Sequence, residues 1–328
     1  MRFYKIIFVL LIMFTNSKLF SYEEGIALNN DIEIYYRDYG PNDGEPILLV
    51  QGIGGQLINW PEHLIEFLLE NNFRPIVYDN RDTGLSSRIP SDSFGDEKRN
   101  NTIVKNYIRY YLRLPIKSDY TLDDMAVDGV AVLDKLEITK AHILGISMGG
   151  MIAQIITSSY PERSKTFTLI ASTASTPSPF NGPTRKVRKL LMDRTKNPNS
   201  STDERVARSR KIFKEIGYQG IDLNTEEFYE YVSTSIERGG TDDTGFGRQL
   251  NAILGSKNRI DKVKSIKTPT LIVHGLQDPL IKVKNAYRAS KFIKGSKLII
   301  IEDMRHLIEP PVFDQFKADL LEHLETNK

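Results

Sequence analysis

The pentapeptide Gly145-Ile146-Ser147-Met148-Gly149 constrains this chain more than any other stretch. It directly follows the apolar run Ala141–Leu144 and directly precedes the helix-like stretch Met151–Ser158. A G-x-S-x-G motif at a strand-to-helix junction places its serine on a sharp turn, with the hydroxyl exposed above the end of a sheet. A side chain two positions before or after the serine would crowd that turn, so glycine suits both places. Two later residues stand where they can assist such a serine. Asp278 follows the run Thr270–His274, and His306 follows Lys297–Glu302.

A serine hydroxyl is a weak nucleophile and needs a base within hydrogen-bond reach. The chain has five histidines: His63, His142, His274, His306 and His323. His142 and His274 fall within expected strands, His63 early in a helix and His323 in the last helix. Only His306 follows an expected strand on a C-terminal loop, which makes it the candidate base. Asp278, in the turn Gly275-Leu-Gln-Asp-Pro279, is the candidate for orienting its ring and stabilising the imidazolium. Glu302 and Asp303 are poorer orienters, because neighbours on one strand–loop segment rarely meet edge to edge.

The oxyanion formed by serine attack needs backbone N–H donors. Met148, immediately after the serine, supplies one, and the loop Gln51-Gly-Ile-Gly-Gly55 the other. Ile53 is the candidate by position, with Gly54 the alternative. That loop lacks the complete G-x-G-x-x-G spacing, and the chain has no Gly-Lys-Ser/Thr, so a nucleotide cradle is not indicated. No H-E-x-x-H is present and no metal site is expected.

Strand-like runs at Ile32–Tyr36, Pro46–Val50, Arg74–Tyr78, Ala141–Leu144, Thr166–Ser172, Thr270–His274 and Leu298–Ile301 alternate with helical patterns such as Asp123–Leu136. That rhythm predicts an α/β fold with a mainly parallel central sheet covered by helices on both faces. It breaks after Ser172. A Ser/Thr/Pro-rich stretch, Thr173–Pro183, leads into four helical patterns at Lys186–Arg194, Asp203–Ile216, Thr225–Ile236 and Gly247–Leu254. The expected organisation is a core at 25–174 and 263–328, with a helical cap at 175–262 inserted between two strands. The excursion Gly95–Pro115 also leaves the sheet pattern. Its Tyr107, Tyr110, Tyr111 and Leu112 are expected to pack on the core or rim a pocket mouth.

At the N-terminus, Arg2 and Lys5 precede nine unbroken apolar residues, Ile6–Phe14, with small residues at Ser17 and Ser21 as possible cleavage sites. Nine is too few to span a bilayer comfortably, so residues 1–21 read as an export signal, with retention as a membrane tether the alternative. A periplasmic or secreted location is the expectation. The chain has no cysteine, which excludes disulfides, thiolate catalysis and iron–sulfur sites. With 44 basic and 42 acidic residues in 328, its net charge of +2 asks for no nucleic-acid partner. Nothing in it implies a cofactor or an obligatory protein partner.

The wider pattern resembles the α/β-hydrolase superfamily, close to its aclacinomycin methylesterase-like serine hydrolases. The matching stretches are Val50–Gly55 with Trp60-Pro61, Tyr78–Ser86, Tyr120–Ala126, His142–Gly150 and His274–Pro279. The resemblance implies a catalytic triad Ser147, Asp278 and His306, in that chain order, with Ile53 and Met148 as oxyanion donors. It implies a structural Asp79–Ser86 turn, with Arg81 and Asp82 bracing loops. The expected activity is serine carboxylesterase, acting on small or medium, largely uncharged esters. Alternatives are a proline-type aminopeptidase, lactonase or cofactor-free perhydrolase of the same fold, or a non-catalytic small-molecule binding protein. An aminopeptidase would need acidic cap residues for a free amine, for which Glu226, Glu227 and Glu230 are the candidates.

Overall fold

The computed structural model describes residues 21–90, 105–106, 108–175, 182–196, 200–239 and 244–327. Residues 1–20 of the expected export signal and Tyr107 of the excursion lie outside the described residues. Alternation along the chain produces β1 (Glu23–Asn29), β2 (Ile32–Asp38), β3 (Glu45–Val50), α1 (Glu62–Glu70), β4 (Phe73–Tyr78), α2 (Leu122–Lys135), β5 (Ala141–Ile146), α3 (Met148–Ser159) and β6 (Ser164–Ile170). Five helices follow: α4 (Arg185–Lys196), α5 (Thr202–Ile216), α6 (Glu226–Gly239), α7 (Thr244–Gly255) and α8 (Ile260–Ser265). The sheet then resumes with β7 (Thr270–Gly275), α9 (Lys284–Phe292), β8 (Lys297–Ile301), α10 (Pro310–Phe313) and α11 (Lys317–Glu325).

The eight strands lie in the order β1-β2-β4-β3-β5-β6-β7-β8. From β4 to β8 every pairing is parallel, while β2 joins β4 and β1 joins β2 antiparallel. β5 and β7 are buried at every position, as strands covered on both faces must be, and this explains their continuous apolar sequence. Neighbours on β3 point to opposite faces. Leu48 and Val50 join α2 and α3 residues such as Met125 and Ile152, whereas Ile47 and Leu49 join Leu64 of α1 and Leu320 of α11. The sheet therefore carries a core on each side. The edge strand β1 was not expected from the sequence. Only Ala27 in it is buried, so it gives almost no hydrophobic period.

Local signals set the helix boundaries. Thr121 caps α2, accepting from Asp124 N–H at 3.3 Å while the Asp124 carboxylate accepts from Thr121 N–H at 2.7 Å. Helices α4 to α7 form a cap, in which α5 packs on both α4 and α6. Buried ion pairs tie it to the core. Arg238 at the end of α6 meets Asp79 at 2.6 Å, and Arg248 of α7 meets Asp82 at 2.6 Å. A third pair, Arg81 with Asp128 of α2, also at 2.6 Å, anchors the same 79–86 turn to the core.

Removing one partner of a buried pair strands the other charge. Asp82 and Arg248 are 2% and 4% exposed. Arg248→Met is expected to lower folding stability by about 3–5 kcal/mol, read as a lower urea midpoint. A loss under about 1 kcal/mol, the range of a solvated pair, would contradict the burial argument.

Candidate active site

Ser147 sits between the last residue of β5 and the first of α3, with φ 55° and ψ −119°. A side-chain-bearing residue at such dihedrals costs about 1–3 kcal/mol and persists only where its surroundings enforce it. Those surroundings are backbone. A Cβ on Gly145 would collide with the Gly149 carbonyl, and one on Gly149 would collide with the Val50 carbonyl. The motif's two glycines thus let α3 leave the sheet at once and pass against the end of β3. Ser147 N–H donates to Ile170 O at 3.0 Å, and Ser172 Oγ donates to Ser147 O at 2.6 Å, pinning the turn to the end of β6.

The loop after β3 lies beside this turn, with Gly52 facing Ser147: a Cβ there would sit 3.3 Å from Ser147 Cβ. Gly54 N–H donates to Gln249 Oε1 at 2.8 Å. Gln249 is itself fixed, its Nε2 donating to Arg81 O at 2.8 Å and Thr83 Oγ1 at 2.7 Å. Gly54, the alternative oxyanion donor from sequence, is therefore already committed, and Gln249 is the reason. Ile53 and Met148 N–H make no hydrogen bond among the described residues. Met148 is the first residue of α3, so its N–H is one that the helix itself leaves unsatisfied.

Asp278 and His306 meet across a separation of 28 residues. Asp278 Oδ2 lies 2.7 Å from His306 Nδ1, and both side chains are buried. A carboxylate only accepts, so Nδ1 carries a proton, and in the neutral imidazole that leaves the lone pair on Nε2. The other oxygen, Oδ1, accepts from Leu280 and Ile281 N–H at 2.8 Å each, which fixes the carboxylate. His274 lies against the same carboxylate, with Nε2 3.5 Å from Asp278 Oδ2 and 2.7 Å from Ile281 O. Burial holds its imidazole below the usual pKa. The sequence placed His274 on a strand but gave no hint of this contact.

The His306 loop is also fastened to the cap. His306 N–H donates to Ile216 O at 2.8 Å and Arg305 Nη1 to Glu215 O at 2.7 Å. In return, Tyr218 N–H donates to Glu309 Oε1 at 2.9 Å. Burial pushes the Glu309 carboxyl above its ordinary range. No short-range pattern signals this clasp, because its halves are about 90 positions apart.

Ser147 and His306 line one cavity of about 520 Å³, with Gly52–Gly55 on the same wall. The cap lines it with Leu191, Phe213, Phe228, Tyr231, Val232 and Phe246, and also with Arg205 and Arg208 of α5, so its roof is mostly but not wholly apolar. Tyr229, between Phe228 and Tyr231 in the chain, does not line the cavity and donates to Asp203 at 2.9 Å. Glu226, Glu227 and Glu230 are exposed and do not line it. His63 also borders the cavity, 5.2 Å from the Phe313 ring. The remaining histidines are structural: His142 Nδ1 lies 2.8 Å from Thr166 Oγ1, and His323 Nε2 lies 3.2 Å from Phe167 O. Among the described residues, no group of three or more potential ligands could hold a metal ion.

Residues 45–308 match the alpha/beta hydrolase fold family. Rhodomycin D methylesterase from Streptomyces peucetius is 24% identical over 310 residues, covering 90% of this chain and 96% of its own. The 3-oxoadipate enol-lactonase 2 of Acinetobacter baylyi is 23% identical over 83% of this chain and 86% of its own. The crystal structure of an enol-lactonase from Burkholderia xenovorans superposes with a TM-score of 0.67 at 19% identity, covering 92% of this chain and all of that one. The chain belongs to the α/β-hydrolase family, and it is a hydrolase.

Burial keeps His63, His274 and His323 harder to protonate in the folded chain. The unfolded chain then binds more protons below about pH 6.5, and stability falls as pH drops through that value. Burial raises the Asp79 carboxyl, which works in the opposite sense, so the informative quantity is a difference between proteins. His274→Gln is expected to show a smaller drop in urea midpoint between pH 7.5 and 5.5 than the wild type does. Equal drops would mean that His274 takes up its proton without resistance.

Proposed function

We propose that this hydrolase is a serine carboxylesterase for small or medium, largely uncharged carboxylic esters. Ser147 is the nucleophile, His306 the general base and acid, and Asp278 the group that orients the imidazole. His306 Nε2 takes the hydroxyl proton as Ser147 Oγ attacks the ester carbonyl. Negative charge on the carbonyl oxygen falls to the N–H groups of Ile53 and Met148. The tetrahedral species collapses, and His306 returns its proton to the departing alcohol. Water then repeats the sequence on the acyl-enzyme, with His306 again the base, releasing the acid and freeing Ser147.

The observation that carries this reading is the Asp278–His306 contact at 2.7 Å, together with the opening of His306 and Ser147 onto one cavity. The mostly apolar lining favours largely uncharged substrates, and about 520 Å³ suits a small or medium ester. The likeness to a methylesterase supports ester chemistry. A lactone is an internal ester open to the same attack, and the enol-lactonase relative supports that second reading. Exposure of Glu226, Glu227 and Glu230 leaves, among the described residues, no acidic cap cluster facing the cavity to hold a free amine, which weighs against an aminopeptidase.

The test is hydrolysis of p-nitrophenyl esters from acetate to laurate by the wild type and Ser147→Ala. Removal of a triad serine is expected to lower kcat by at least about 10³-fold, with a preference for acyl lengths that the cavity accommodates. Equal turnover by both proteins would refute Ser147 as nucleophile. A folded wild type that turns over none of these esters would refute the carboxylesterase reading.

A further inference from the structure

Between β4 and α2, residues 105–106 and 108–121 do not line the cavity. Residues 105–106 and 108–111 are helical, and the helix is anchored on its inner side by Asn106, whose amide donates to Asn251 Oδ1 of α7 at 3.0 Å. It ends in a tight reversal. Arg113 has φ 56°, Leu114 N–H donates to Arg109 O at 2.8 Å, and Arg109 Nε donates to Pro115 O at 2.6 Å.

The outer side of this helix has the wrong polarity for water. Ile108, Tyr111 and Leu112 stand at i, i+3 and i+4, the spacing of one apolar stripe. Yet they are 54%, 38% and 63% exposed, and Leu114 beyond them is 46% exposed. An ordinary amphipathic helix turns such a stripe to the core. Beside the stripe, Lys105, Arg109 and Arg113 recur every fourth residue, with Lys117 following. Residues 105–117 contain these four cations and no acidic residue, although the whole chain is nearly balanced at +2. Clustered exposed apolar residues mark an interaction surface. Apolar side chains flanked by cations complement a surface that is oily below and anionic above.

We propose that this face docks on an anionic lipid bilayer. Ile108, Tyr111, Leu112 and Leu114 enter the boundary between headgroups and acyl chains, and the four cations meet the lipid phosphates. The helix α7 connects the docked face to the cavity. Asn251 holds the excursion, and Phe246, earlier on the same helix, lines the cavity. At 12 residues, α7 is about 18 Å long, so docking keeps the cavity near the membrane surface.

The absence of native cysteine makes the test clean. Leu112→Cys and, as a control on α9, Tyr287→Cys (52% exposed in the wild type) are made in the full chain and labelled with an environment-sensitive nitrobenzoxadiazole dye. Cooperative urea unfolding checks that each labelled protein is folded. Vesicles of phosphatidylcholine alone, and with about a third phosphatidylglycerol, are then added. The expected result is a blue shift and a severalfold rise in emission at position 112 with the anionic vesicles, reduced by high salt and absent at position 287. No change at 112 would overturn the proposal. So would equal changes at both positions, which would report attachment through another segment. A shift at 112 that grows with protein concentration without lipid would assign the face to a second copy of the chain and overturn lipid docking.

Discussion

Everything at the site depends on how closely α3 passes the end of β3. Gly149 lies so near the Val50 carbonyl that no Cβ fits between them. That single approach sets the strained turn at Ser147 against the loop after β3, where a Cβ on Gly52 would sit 3.3 Å from Ser147 Cβ. The N–H groups of Ile53 and Met148, the donors proposed above, are backbone groups, so their positions are properties of the sheet, its crossover helix and the loop after β3. A sheet strand, a helix and a loop hold the geometry jointly, which is how a site becomes organised before any substrate arrives. The dihedral strain at Ser147 is offset by two buried core layers on either side of the sheet.

A second constraint fixes the roof over that site. The 79–86 turn presents Asp79 and Asp82 in the protein interior, and each is answered by an arginine from a different cap helix. Arg81 of the same turn reaches the opposite way, to Asp128. The cap is thus held by charges that the core cannot leave unpaired without a large penalty. A similar reciprocity joins the His306 loop to the end of α5 through backbone hydrogen bonds and Glu309. Movement of α5, which carries Phe213 into the cavity, would therefore be felt at the imidazole.

Much of the fold was legible because its signals are local. Seven strand-like runs became strands of one sheet, and four helical patterns after Ser172 became cap helices, since period and turn residues suffice to mark such elements. β1 escaped because an edge strand with one buried residue carries no pattern. At the site, residue type and chain order nominated Ser147, Asp278 and His306, which the fold gathers at one end of the sheet. Position in the loop favoured Ile53 over Gly54, but the hydrogen bond that occupies Gly54 N–H was not legible, because its acceptor, Gln249, lies 195 residues away. Arg238 and Arg248 were invisible as partners of Asp79 and Asp82 for the same reason: one arginine among many looks like any other until the chain is folded. Tyr111 and Leu112 were expected to pack on the core or rim a pocket, and instead face outward.

The central claim is that the strained turn presents a reactive serine. Its most direct measurement is labelling of the native chain with a fluorophosphonate, followed by mass spectrometry of the digested protein. The account predicts one adduct, on Ser147, forming in the native chain and not after unfolding, because reactivity belongs to the assembled geometry and not to the hydroxyl. An adduct on another residue, or ester hydrolysis that continues with Ser147 fully modified, would contradict it.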